Sequence, residues 1–206
     1  ISVTAYDQLR YLKNKDTYMY ENKKYSDVLK MLAADYGLKT GDIADTGFVI
    51  KKRVEEATLL DICANASDET VLNTGKLFVL YDDFGKLCLK NIEDMKVPLL
   101  IDAATASGFD YKSGIDKDSY SKIKLARDNS ETGEREIYEY NTGNLQKKWG
   151  ILQYYEKLDA ESTVLKEKAK LLADYYGRKR RSLKIQKAFG DIRVRGGSSL
   201  VVMLAL

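Results

Sequence analysis

Thr74-Gly75-Lys76-Leu77-Phe78-Val79-Leu80-Tyr81-Asp82-Asp83-Phe84-Gly85-Lys86-Leu87-Cys88-Leu89-Lys90 spells two short strands joined by a tight turn. Asp82 and Asp83 favour turn initiation, and Gly85 suits the positive φ of a three-residue loop with a G1 bulge. The first strand is apolar on both faces, with Phe78 and Leu80 on one and Leu77, Val79 and Tyr81 on the other. The second alternates, Leu87 and Leu89 against Lys86, Cys88 and Lys90. One strand is therefore more enclosed than its partner, and the segments just upstream are the obvious cover. This stretch is scaffold.

Those upstream segments read as helices. Tyr6 to Lys13 has a short helical spacing, and Asp16 to Tyr20 reads as extended. Ser26 is placed to cap a helix with the stripe Tyr25, Val28, Leu29, Leu32 and Tyr36, which Gly37 ends in a left-handed position. Gly41 to Gly47 reads as a loop and Phe48-Val49-Ile50 as a short extended piece. Thr58, with Asp61 three residues on, resembles a capping box that opens a helix with Leu59, Ile62, Cys63 and Ala66 inward, running to about Asn73. Residues 1–101 thus read as an α+β unit ending in the hairpin.

Pro98 is the only proline, and the small, polar stretch 102–114 that follows reads as a linker. Residues 115–206 then carry mainly strands. Ile123 to Arg127 and Arg135 to Tyr140 pair across the turn cluster Asn129 to Gly133. Trp149 to Tyr155 reads as a strand apolar on both faces, and Ser182 to Phe189, Ile192 to Arg195 and Leu200 to Leu206 as further strands. A helix from Asp159 or Ser162 to Tyr176 puts Val164, Leu165, Ala169, Leu172, Tyr175 and Tyr176 inward. Several strands with one packed helix predict a small β-barrel-like domain, so the fold class is α+β with the barrel second.

The composition narrows the chemistry. With 206 residues, 44% apolar and 32% charged, the chain has the make-up of a soluble globular protein able to bury a core. A net charge of +3 argues for neither nucleic acid nor an anionic membrane, and no apolar run approaches the roughly 18 residues that cross a bilayer. Histidine is absent, which removes Ser-His-Asp and Cys-His catalysis in their usual form and the commonest metal ligand. Cys63 and Cys88 read as two buried thiols, with a single bridge as the alternative. The chain starts at Ile1 and stops inside an apolar run, so it reads as a piece of a longer polypeptide.

No motif rises to a reactive centre. Asp82-Asp83 has the look of a carboxylate pair or a calcium site, but the turn accounts for both residues and no further oxygen ligand follows at EF-hand spacing. Glu55-Glu56 near Arg53 reads as a solvated approach to a helix. Arg178-Lys179-Arg180-Arg181 lies just past a helix C-terminus, where the dipole favours cations without any nucleic acid. The fifteen tyrosines are the unusual feature. Tyr138, Tyr140, Tyr154 and Tyr155 lie on strands that look apolar on both sides, covered either by the helix or by another subunit. With Trp149 and Arg195 they form the set of inter-subunit contact candidates, and no catalytic, cofactor or metal residue and no small-molecule substrate is expected.

Four phrases carry a resemblance: Asp7 to Tyr18, the hairpin Thr74 to Glu93, Lys148 to Tyr155, and Ala188 to Gly197. Together, in order, they resemble the XkdQ/YqbQ family, tail proteins of PBSX-like prophages and related contractile particles of Gram-positive bacteria. The resemblance implies a non-enzymatic baseplate hub protein, a trimer when full length, whose small barrels form a torus adapting the tail tube to the central spike. Its implied partners are itself and the tube, spike and baseplate proteins, and its implied location is a virion or phage-like particle assembled in the bacterial cytoplasm. Arg195-Gly196-Gly197-Ser198-Ser199-Leu200-Val201-Val202 looks like the strand-entry turn of hub and spike barrels. Family members extend beyond both ends of this chain. The competing reading is a cell-wall (peptidoglycan) binding or hydrolysing module of the same particle, which would need a carboxylate pair in a cleft.

Overall fold

Strand β1 (Lys15–Lys24) is the first long element in a computed structural model of the chain, which describes residues 2–129, 132–158, 165–188 and 190–203. A short 3-10 helix (Gln8–Lys13) precedes it. Helix α1 (Tyr25–Asp35), β2 (Thr40–Ile43), β3 (Val49–Thr58), α2 (Leu59–Thr74), β4 (Phe78–Asp82), β5 (Leu87–Asn91) and β6 (Lys96–Ile101) follow. The expected hairpin is β4–β5, with Leu80 opposite Leu89. Its turn is tighter than a G1-bulge loop. Phe84 and Gly85 both have positive φ (47° and 84°), and Asp83 and Lys86 exchange backbone hydrogen bonds of 2.8 and 3.2 Å. That is a two-residue type I′ loop, whose twist matches the strands. The Asp82 carboxylate holds it by accepting the Gly85 N–H at 2.8 Å.

The cover over the hairpin is α1 and α2. Val28, Leu29 and Leu32 of α1 and Leu59, Ile62, Cys63 and Ala66 of α2 meet Phe78, Leu87 and Leu89 in one core. Helix α2 is capped as its sequence predicts, the Thr58 hydroxyl accepting the Asp61 N–H at 3.1 Å. Thr58→Ala is therefore expected to cost about 1 kcal/mol in urea unfolding. Helix α1 starts two residues earlier than a Ser26 cap predicts, with Lys24 at the N-cap, so Ser26 is buried inside it rather than capping it. The Asp27 carboxylate instead accepts the Lys24 N–H at 3.2 Å.

One strand lies where a loop was expected, and another runs well past the short extended piece expected at Phe48-Val49-Ile50. Gly41 belongs to β2, which runs parallel to β5 and makes that strand the centre of a β2-β5-β4 sheet. A Cβ on Gly41 would stand 2.6 Å from the Cys88 sulfur, so only glycine permits this approach. Strand β3 runs ten residues, through Arg53, Glu55 and Glu56, and pairs antiparallel with β1 from Lys15↔Thr58 to Lys24↔Val49. The charged residues read as a helix approach are strand residues instead.

From Ile101 onward a second unit forms. It holds β7 (Gly108–Gly114), β8 (Lys122–Asp128), β9 (Arg135–Asn141), α3 (Gly143–Trp149), β10 (Gln153–Leu158), α4 (Leu165–Tyr176) and β11 (Arg180–Gln186). Helix α4 covers one face of a three-stranded sheet, β10-β8-β9, burying Ile123, Leu125, Leu165, Ala169 and Ala173. Its expected start at Asp159 or Ser162 lies outside the described residues.

The α+β class holds, but the second unit does not close into a barrel among the described residues. A barrel needs two neighbours for every strand, whereas β7 and β11 pair only with each other and β9 and β10 are edges. The expected linker 102–114 contains β7. Trp149 is not in a strand either: it ends α3, Gly150 follows at φ 74°, and β10 begins only at Gln153.

The last described segment belongs with the first unit, which comprises the chain up to Leu100 and Gly190–Met203. Ile192 to Arg195 is a pair of turns rather than a strand, the Val194 N–H reaching the Asp191 carbonyl and the Ser198 N–H the Arg195 carbonyl. These turns lead into β12 (Ser199–Val202), which pairs with β6. Residues 204–206 of the expected final strand lie outside the described residues.

Candidate interaction surfaces

Tyr138, Tyr140 and Tyr154 share the α4-facing side of the second unit's sheet and pack against its core. Of the two covers open to them, α4 is one the fold supplies. Tyr154 belongs to a ring cluster: it stacks on Tyr176 with centroids 5.2 Å apart, and Tyr120 meets both rings edge-on at 5.4 and 5.1 Å. Burial and a hydrogen bond to Glu156 push the Tyr154 phenol up to about 12, so it remains a neutral donor.

Tyr155 points to the opposite face and is 52% exposed. That face is laced with charge. Glu139 bridges Lys122 (2.9 Å) and Lys124 (3.2 Å), and Asp128 bridges Arg135 (2.8 Å) and Lys157 (2.6 Å). Ile137, 54% exposed, lies among them opposite Ala126. Arg135, then Lys157, holds the Asp128 carboxyl down at about 2. A depressed folded value means the carboxylate stabilises the fold at pH above its unfolded value near 4. That contribution disappears as pH falls through about 2. Asp128→Asn is expected to flatten the pH dependence of unfolding between about pH 4 and 2, read against the parent chain in urea titrations.

Arg195 anchors the C-terminal segment of the first unit onto the hairpin tip. Its guanidinium pairs with the Asp83 carboxylate and lies over the rings of Tyr81 (5.3 Å) and Phe84 (5.7 Å). The Asp82-Asp83 pair is thereby engaged in structure, Asp82 in the turn and Asp83 with Arg195. Trp149 is half-buried at the end of α3. The candidates of the second unit do not converge on one patch. Tyr138, Tyr140 and Tyr154 line one face of a sheet, Tyr155 the other, Trp149 lies on a neighbouring helix, and Arg195 belongs to the first unit.

Tyr120 escaped the sequence reasoning, and Arg180 entered it only as part of the basic run. Arg180 lies 4.3 Å over the Tyr175 ring and 5.2 Å over Tyr176, and it donates to the Asp118 carbonyl at 2.7 Å. Arg178 donates to the Tyr175 carbonyl at 3.0 Å, as a cation at a helix C-terminus should. Half of the basic run is thus engaged inside its own unit. The signal was the run's position right after Tyr175-Tyr176, which places guanidinium groups within reach of two rings. Both cysteines are free and buried, and burial pushes the Cys63 thiol up to about 12. Among the described residues no three His, Cys, Asp or Glu side chains group as a metal site, and no helix is long and apolar enough to cross a membrane.

Comparison with known proteins places the chain. The protein YqbQ of Bacillus subtilis strain 168 is 30% identical over 210 residues, covering 99% of this chain. The phage-like element PBSX protein XkdQ of the same strain is 30% identical over 211 residues, again covering 99% of this chain. The chain spans 64% of the length of each of these relatives. A solved tail protein from Neisseria meningitidis MC58 superposes with a TM-score of 0.61 at 14% identity, over 96% of this chain and 63% of that one. At that identity the likeness is one of fold. A family model described as YQBQ-like matches residues 1–206, and the chain belongs to that family.

Proposed function

We propose that this chain is a structural component of a prophage tail, and that it works in the baseplate hub, adapting the tail tube to the central spike through contacts between subunits. Membership of the YqbQ-like family, which runs the whole length of the chain, carries this reading. The PBSX relative and the tail-protein fold support it. The charged groups are of the same kind. The acidic pair that most resembled a site closes a hairpin turn and binds Arg195, and Glu139 and Asp128 each tie strands together through two cations. Ion pairs of this kind fit a shape-building, non-enzymatic component of the tail particle. Tyr155, Ile137 and the rim of charge around them are the surface best suited to a neighbouring subunit, being aromatic and aliphatic at the centre and polar at the edge.

The test is assembly of the full-length protein. Mixed with its tube and spike proteins, it is expected to form a ring, a trimer, that sediments with them. A full-length protein that stays monomeric at high concentration and binds neither would overturn the hub role. Release of soluble fragments from purified peptidoglycan would instead favour the cell-wall reading.

A further inference from the structure

We propose that β3 is a self-association edge, at which two copies of this chain pair antiparallel about a two-fold axis through Val54. Strand β3 is ten residues long and, among the described residues, pairs only with β1, so its second edge is open. Lys52, Arg53, Val54 and Glu56 are all exposed there. On the open face Val54 (67% exposed) lies opposite Met19 (69% exposed), an apolar pair left in water. An unpaired edge of this length invites another strand, and natural edges are guarded by charge. Here the guard is itself a pattern.

In Lys51-Lys52-Arg53-Val54-Glu55-Glu56 the charge reverses sign at Val54. When two copies pair antiparallel on that residue, Lys52 faces Glu56 of the second copy and Arg53 faces its Glu55. The symmetry repeats both, giving four opposite-charge pairs around a central Val54–Val54 contact. Arg53 and Glu55 share the face on which they already bind Glu69 and Asn65 of α2, so the open-face pairs Lys52–Glu56 are the ones free to select a partner. The two Met19–Val54 pairs then join into one apolar row across four strands.

Other arrangements lose this match. An antiparallel ladder must keep residues of one face together, so each alternative two-fold register centres on another residue of the strand. Centring it on Arg53, Glu55 or Glu56 sets that charge against itself, and centring it on Lys52 also sets Lys51 against Arg53. A parallel in-register pair sets like on like throughout. Self-pairing of the β1 edge about Met19 brings Lys15 against Lys23. The occupant that the charges select is a second copy of this chain in one register. The contact closes after two copies, so it is not the ring contact of the tail reading, and either reading can fail without the other.

The experiment is sedimentation equilibrium of the 206-residue chain over a range of concentration and salt. The parent chain is expected to dimerise reversibly and more weakly as salt rises. Lys52→Glu and Glu56→Lys should each weaken self-association about tenfold or more, with circular dichroism unchanged because both sites are exposed. Mixing the two variants should restore the dimer as a heterodimer, since the glutamate introduced in one copy then meets the lysine introduced in the other. A parent chain that stays monomeric to about 1 mM, on the scale of the weakest specific contacts, would overturn the proposal. So would a dimer indifferent to either variant, or a mixture that fails to recover it.

Discussion

Leu89→Ala is expected to destabilise the first unit by about 2–5 kcal/mol, the range for emptying a leucine site in a packed core. Leu89 is 0% exposed and lies on β5, the central strand of the β2-β5-β4 sheet. It faces Leu80 across one ladder and Ile43 across the other, with helical side chains of α1 and α2 packed against the same core. Collapse around the missing methyl groups is hindered from both sides, because each neighbouring strand is held in register by backbone bonds. The upper part of the range is therefore the better expectation. Urea unfolding followed by circular dichroism checks it, together with faster amide exchange at Leu29 and Leu32. Phe84→Ala, at a site 81% exposed, is the comparison and should change stability far less. A Leu89→Ala variant as stable as Phe84→Ala would mean that β5 is not the core strand.

That core was the legible part of the fold. Helices α1, α2 and α4 carry apolar stripes at helical spacing, and the hairpin and the β8–β9 pair combine alternation with a local turn. Each of these is decided by residues close together in the chain. The elements that escaped are decided by distant partners. Strand β2 has a single large apolar residue, Ile43, and is made a strand by its parallel pairing to β5, which lies beyond β3, α2 and β4 in the chain. Strand β7 looked like a linker because its partner, β11, arrives only after the rest of the second unit. The charged middle of β3 looked like solvated surface because its apolar neighbour Met19 is on β1.

The candidate surface was legible in kind but not in place. An excess of tyrosine pointed to buried or contacting aromatic faces, and the structure divides them: Tyr138, Tyr140 and Tyr154 go under α4, while Tyr155 faces out. Alternation alone distinguishes neighbours such as Tyr154 and Tyr155, but it cannot say which of the two faces a helix will cover. Trp149 was misplaced because the run Trp149 to Tyr155 is apolar at almost every position, and such a run fits a helix end and a buried strand equally. What separates α3 from β10 is Gly150 and the hydrogen bonds around it.

Those bonds converge on Ser121, and Ser121→Ala is expected to cost about 2–3 kcal/mol. The side chain is 0% exposed. Its hydroxyl donates to the Gly150 carbonyl at 2.7 Å and accepts the Leu152 N–H at 3.0 Å, pinning both sides of the α3–β10 junction to the start of β8. The backbone adds to the same knot: the Ser121 N–H reaches the Leu152 carbonyl at 2.9 Å, and the Ser121 carbonyl accepts the Thr142 N–H at 3.1 Å. Alanine keeps the backbone bonds and removes the hydroxyl, leaving one acceptor and one donor without partners. Each orphan costs about 1–3 kcal/mol when water cannot reach it, and the Gly150 carbonyl, on an exposed residue, sits at the low end. Ser119 supplies the control. It is also buried, but its hydroxyl makes a single bond, to the Arg178 carbonyl at 2.9 Å, so Ser119→Ala should cost about half as much. Trp149, the only tryptophan, ends α3 beside this junction, and its emission should shift toward that of exposed indole in Ser121→Ala at urea concentrations where Ser119→Ala is still native. Equal losses in the two variants would show that the second hydrogen bond holds nothing, and that the junction is set by Gly150 alone.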